Sequence, residues 1–136
     1  MITSLNAWFV AGGDLNTLPP GSDSTDYCYE DMYSGESFHQ PGDDPQHKEG
    51  SNYTPESDWL TGLYSDYKSA IGLEEYHQNQ AAYFSHTTRP EHFWDRTLDY
   101  LFTNNRWRNG SALVHQDFFY DSDHAPVSAD FVLIKK

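Results

Sequence analysis

The sequence predicts an α+β domain, and two observations carry that reading. Several short runs alternate or cluster apolar residues as strands do, and one stretch repeats apolar residues at helical spacing. The clearest strand follows Ser122-Asp123-His124-Ala125-Pro126. From there Val127, Ala129, Phe131 and Leu133 share one face, and Ser128, Asp130, Val132 and Ile134 the other. An acid beside a histidine therefore sits at the mouth of a strand, where a rigid element can hold both side chains within reach of water. The same pair also suits a plain surface turn, so its meaning depends on what precedes it.

The other elements follow in chain order. Ala7-Trp8-Phe9-Val10-Ala11 is an apolar run that stops at Gly12-Gly13, which predicts a buried strand, with a helix segment as the alternative. It delivers Asp14 and Asn16 into the loop Thr17-Leu18-Pro19-Pro20-Gly21, although both residue types also cap ordinary turns. Residues 23–57 are polar and acid-rich, with His39 and His47 among them, and read as one long solvated loop. Their spacing fits no calcium or zinc pattern. Thr54 and Pro55 can start a helix, and Trp59, Leu60, Leu63, Tyr67, Ala70 and Ile71 then recur at helical spacing up to Gly72. This stripe is most simply a face packed on a sheet. Residues 73–83 are ambiguous, Tyr83-Phe84-Ser85 suits a short strand, and 87–93 is loop-like. Residues 96–102 form a further strand, with Leu98, Tyr100 and Phe102 on one face and Thr97, Asp99 and Leu101 on the other. Asp99 is thus an acid among apolar neighbours, and a buried carboxylate needs a partner, for which a histidine is a natural choice. Asn104-Asn105 and Asn109-Gly110 are turn signals, and residues 112–119 are the last strand before Asp123-His124.

Composition narrows the function classes. The 136 residues suit one domain or part of one, and aromatics at 16% are too many for a disordered chain. A formal charge of −13 disfavours non-specific binding to nucleic acid or to an anionic membrane. It fits solubility or a site for divalent cations. Cys28 is the only cysteine, so no internal disulfide forms, and no run reaches transmembrane length, so membrane insertion is not expected. Compartment is left open.

Three strand ends then each offer polar groups: Asp14 with Asn16, Asp99, and Asp123 with His124. Such a set suits phosphoester hydrolysis, which needs a positioned water, stabilisation of charge on the phosphoryl oxygens and, usually, a divalent metal. The ordered motifs Gly12-Gly13-Asp14-Leu15-Asn16, Arg96-Thr97-Leu98-Asp99-Tyr100 and Ser122-Asp123-His124 resemble the endonuclease/exonuclease/phosphatase superfamily, the DNase I-like enzymes. The resemblance implies a sandwich of two packed sheets with helices outside. It implies that Asp14 positions or deprotonates the attacking water, that Asn16 holds the phosphate or that water, and that Asp99 orients His124. His124 would contact the phosphoryl oxygens, and Asp123, with Asp14, would bind Mg²⁺ or Mn²⁺.

The superfamily's domain is about twice this length, and its first half brings the main metal-binding Glu. Residues 1–136 therefore resemble the C-terminal portion of that domain: half of a four-layer α/β/β/α sandwich, one mostly antiparallel sheet with a flanking helix. The expected function is a divalent-metal-dependent phosphoester hydrolase acting on a small phosphoester or phosphodiester, active when the missing half is supplied. Nucleic acid is a possible but not a favoured substrate. A lone sheet would leave an apolar face to be covered by a homodimer partner or a separate N-terminal half-domain. Two alternatives stand beside this one: a catalytically silent half-domain that self-associates, and an acidic cation-binding module built on residues 23–57. Arg96, Arg106 and Arg108 lie near the site strand and Arg89 not far before it; they could meet a phosphate or be ordinary surface charge.

Overall fold

In chain order the strands are β1 (Val10–Asp14), β2 (Met32–Tyr33), β3 (Glu36–Ser37), β4 (Lys68–Ser69), β5 (Asp99–Thr103), β6 (Leu113–Val114) and β7 (Val127–Ser128). A short helix, α1 (Thr61–Asp66), precedes β4, and a second, α2 (Leu73–Gln78), with a 3₁₀ turn over Gln80–Tyr83, lies between β4 and β5. This computed structural model describes residues 7–22, 32–33, 36–37, 58–87, 94–117 and 122–133. The fold is α+β, and every ladder among the described residues is antiparallel. In place of one sheet, the described residues form three: β1-β5-β4, β2-β3 and β6-β7. Single bridges join His86 to Arg96 and to His124, so segments that would extend a sheet touch without forming a ladder.

β1 and β5 pair along their full length, from Val10 opposite Thr103 to Asp14 opposite Asp99. The close approach depends on glycine. A Cβ on Gly12 would lie 2.1 Å from the Tyr100 carbonyl oxygen, and Gly13 has φ +143°. Side chains of Thr103 and Asn104 extend the pairing outward. Thr103 Oγ1 donates to the Phe9 carbonyl, and Asn104 accepts from the Phe9 amide at 3.1 Å and donates to the Ala7 carbonyl at 2.9 Å.

β1 differs from its expected form in two ways. It runs through both glycines to Asp14, and all five of its residues are exposed. It is an edge strand paired on one side only, and with two glycines it has little side chain to bury. Burial falls instead on the loop behind it, where Thr17, Leu18, Pro19 and Pro20 are covered. The Tyr100 hydroxyl donates to the Thr17 carbonyl at 2.6 Å and fixes that loop to β5.

The helix is also shorter than its apolar stripe. Tyr67 is extended (φ −130°, ψ 166°), and β4 takes the free edge of β5, with the Ala70 amide donating to the Leu101 carbonyl at 2.8 Å. Sheet hydrogen bonds thus win over a weak helical preference. Trp59 falls off the packed face at 66% exposed, while Tyr64 packs edge-on against Tyr100 and Phe102. Gly72 starts α2 and does not end α1. Thr54 and Pro55 lie outside the described residues.

β5 starts at Asp99 and not at Arg96, and its apolar face is as expected: Leu98, Tyr100 and Phe102 are all buried. Tyr100 and Phe102 form a core with Leu60, flanked by Leu63, Tyr64 and Tyr67. A second core gathers Ile71, Tyr76, Trp94, Val114 and Ala125. The strand expected over 112–119 shrinks to β6, because Gln116 and Asp117 turn. Tyr83 closes the 3₁₀ turn and does not open a strand. After β7 the alternation persists through Phe131, but Leu133 is 75% exposed. Within residues 23–57, read as one loop, β2 and β3 pair, and the rest lies outside the described residues, His39 and His47 included. Among the described residues no helix is long and apolar enough to cross a membrane.

Candidate functional site

The pairing of β1 with β5 sets Asp14 directly opposite Asp99. Two carboxylates at facing positions repel unless something between them compensates. His124 does so. Its Nδ1 lies 2.7 Å from Asp99 Oδ2, and its Nε2 lies 3.9 Å from Asp14 Oδ2. An ionised carboxylate only accepts, so Nδ1 carries the proton donated to Asp99, and Nε2 is left for chemistry.

Each carboxylate is further held by neutral donors. Asp14 accepts from the Asn16 amide at 2.8 Å and from Asn16 Nδ2 at 3.1 Å. Asn16 adopts φ +50°, a left-handed conformation that Asn tolerates better than most residues, and this turn brings its side chain back onto Asp14. Asp99 Oδ2 accepts the hydroxyl proton of Ser85 at 2.8 Å. Ser85, fully buried, in turn accepts from the amides of Leu98 and Asp99 at 3.1 and 3.0 Å. A hydroxyl can give one proton and take two, and Ser85 uses that full capacity to lock the start of β5.

The segment 85–87 is the spacer of the site. Ser85 and His86 amides donate to the Arg96 carbonyl, the Ala125 amide donates to the Ser85 carbonyl at 2.7 Å, and the Thr87 amide donates to the Asp123 carbonyl at 2.9 Å. His86 thereby bridges His124, and their rings meet edge to face with centroids 4.8 Å apart. His86 Nδ1 lies 3.6 Å from Asp95 Oδ1, and Asp95 is buried against Arg96 Nε at 2.6 Å.

The structure therefore brings Asp14, Asn16, Asp99 and His124 to one place. An open cleft of about 330 Å³ beside them is lined by Gly13, Asp99, Leu101, Ser122, His124 and Pro126, among others. Asp123 is exposed and stands with His86 and His124 in a group whose ligand atoms lie within 4.8 Å of one another, a group that could hold a metal ion. Asp14 is not a member of that group.

The arginines do not gather here. Arg96 is 1% exposed against Asp95, and Arg106 and Arg108 line a different cleft with Lys68 and Trp107. Arg89 lies outside the described residues.

Ser85 and His86 were missed by sequence reasoning. Neither sits in a periodic run, and their roles come from contacts with residues 95–99 and 123–125. The one signal available was a short polar pair, Ser85-His86, at the end of a stretch already read as extended. Comparison with protein-family models, with curated proteins and with solved structures gave no match.

Proposed function

We propose that this chain supplies the water-activating part of a phosphoester hydrolase, with Asp14, Asn16, Asp99 and His124 as its working residues. The observation that carries the reading is a single imidazole held at 2.7 Å by one carboxylate and facing a second at 3.9 Å, at the mouth of an open cleft. Asp99 fixes the ring orientation, and Ser85 fixes Asp99. Asp14 would accept a proton from a water that attacks phosphorus, as the P–O bond to that water forms and the ester P–O bond breaks. Asn16 Nδ2 has a second hydrogen beyond the one given to Asp14, free to hold that water or a phosphoryl oxygen. When the His124 ring carries both protons, Nε2 would donate to a phosphoryl oxygen and stabilise charge there.

Mg²⁺ or Mn²⁺, if bound, would be held by the Asp123 carboxylate, a hard oxygen donor of the kind such ions select, with Asp14 as the second acid that the resemblance implies. Bound there, the ion would neutralise charge on the transferred group. The net charge of −13 favours a small phosphoester over duplex nucleic acid as substrate.

Purified chain assayed on bis(p-nitrophenyl) phosphate with Mg²⁺ or Mn²⁺ tests the reading. Metal-dependent turnover that falls by about 100-fold or more in His124→Ala and in Asp14→Asn is expected. Turnover equal in both variants and wild type would end it.

A second reading, a catalytically silent half-domain that self-associates, is favoured by the exposure of all of β1 beside Trp8 and Leu15, at 39% and 38%. A second copy, or a separate half-domain, laid along that edge would cover it. A stable dimer in sedimentation together with no turnover supports this reading over the first. The acidic cation-binding module built on residues 23–57 rests on charge alone. Cation binding that survives Asp14→Asn and Asp123→Asn together would favour it.

A further inference from the structure

We propose that His86, His124 and Asp123 form a site for a transition-metal dication of the Zn²⁺ class, overlapping the phosphoester site. The ligand atoms of the three lie within 4.8 Å of one another, close enough for one ion to meet all of them after small side-chain rotations. The backbone sets this up. The bridge between His86 and His124 puts both rings on one side, and the Thr87 amide on the Asp123 carbonyl holds the third residue alongside.

What distinguishes the trio from a chance cluster is the shell behind it. Metal-bound histidines commonly give their second ring nitrogen to a carboxylate, which fixes the tautomer and aims the lone pair. Both histidines here have such a carboxylate on the Nδ1 side: Asp99 at 2.7 Å for His124, and Asp95 at 3.6 Å for His86. His86 Nδ1 is buried and makes no hydrogen bond at that separation. A metal on Nε2 would draw the ring and Asp95 together and complete that contact. Two imidazoles with one carboxylate are a donor set for Zn²⁺, Fe²⁺ or Co²⁺, whereas Mg²⁺ selects oxygen.

The inference goes beyond the hydrolysis proposed above and stands without it. Both use His124 Nε2, so an ion held there would exclude a phosphoryl oxygen from that atom. The test reads bound metal and not turnover. Zn²⁺ and Mg²⁺ are titrated into the purified chain by calorimetry, and Co²⁺ is followed by its visible absorption. One Zn²⁺ per chain is expected, bound at least about 100-fold tighter than Mg²⁺, with imidazole-type Co²⁺ bands. Asp123→Asn and His86→Gln should each weaken Zn²⁺ by about 10-fold or more, and Asp14→Asn, outside the trio, should weaken it less than either. Asp123 is exposed, so its variant decides the matter even if the His86 variant fails to fold. Zn²⁺ binding that survives both substitutions, or no preference over Mg²⁺, overturns the proposal. Loss of turnover in Asp14→Asn with Zn²⁺ binding retained would separate the two sites' chemistry.

Discussion

His124 and His86 face each other across one backbone bridge, and each has a carboxylate behind its Nδ1, yet the two pairs are built differently. Asp99 sits at 2.7 Å from His124, is partly exposed, and answers to that ring and to Ser85. Asp95 sits at 3.6 Å from His86, is 1% exposed, and answers first to Arg96 at 2.6 Å. The first carboxylate is placed to orient an imidazole. The second is placed to neutralise a buried guanidinium, and its hold on His86 is secondary. The two His–Asp pairs thus differ in how firmly the acid holds its ring, according to what else claims the acid.

The sharpest way to break that comparison is to remove each acid's charge. Asp95→Asn leaves the Arg96 guanidinium buried without its carboxylate, and breaking a buried pair from one side costs about 3–5 kcal/mol. A urea melt should show a loss of that size, and a loss below about 1 kcal/mol would mean that the 95–96 pair is not structural. Asp99→Asn should behave in the opposite way. It keeps the side-chain shape and lies where water reaches, so stability should fall by about 1 kcal/mol only. Under the proposed function, turnover on a phosphodiester should fall by about 100-fold or more, since an amide can present the wrong tautomer of His124. The contrast fails if Asp99→Asn unfolds the chain while Asp95→Asn leaves it intact.

A smaller effect sharpens the Asp99 side. Ser85→Ala removes one hydroxyl that serves Leu98, Asp99 and the Asp99 carboxylate at once. A buried group of this kind is worth about 1–3 kcal/mol when its partners are left behind. Denaturant midpoint and turnover should both fall, and Ser85→Thr should restore neither, because the site is fully closed around the side chain.

Half of this comparison is legible in the sequence. Asp99 could be read because it interrupts an alternating apolar run, and a carboxylate in that position needs a partner. His124 could be read because it stands beside an acid just ahead of β7. The alternation of Leu98, Tyr100 and Phe102 placed the core of β5 for the same reason, since a period of two shows in a few residues. His86 and Ser85 could not be read, because their positions depend on segments 10 and nearly 40 residues away and leave no local period. The helix stops short of its apolar stripe for a related reason. Leu60 and Leu63 do lie on a packed face, but the open edge of β5 captures Lys68–Ser69, a long-range competition that the stripe does not record. β1 is exposed despite its apolar run, because an edge strand with two glycines has one neighbour and little to cover.

The smallest expected effect compares what supports each side from beneath. Tyr64 packs under β5 on the Asp99 side, and burial pushes its hydroxyl up to about 12, a hydrogen bond with Ser69 pulling slightly the other way. Tyr83 precedes the 85–87 segment on the His86 side. Burial again comes first in raising it to about 12, helped by its 2.7 Å hydrogen bond to Glu75 and by that carboxylate's charge. Both phenols ionise more readily in the unfolded chain, near pH 10. Their contribution is therefore complete below pH 10 and is lost as pH rises from there through about 12. Thermal midpoints should stay level up to pH 10 and then decline. Tyr64→Phe and Tyr83→Phe should each flatten part of that decline, because phenylalanine has no proton to lose. If the decline is unchanged in both variants, neither tyrosine supports the site in the way described, and the alkaline sensitivity of the fold lies elsewhere in the chain.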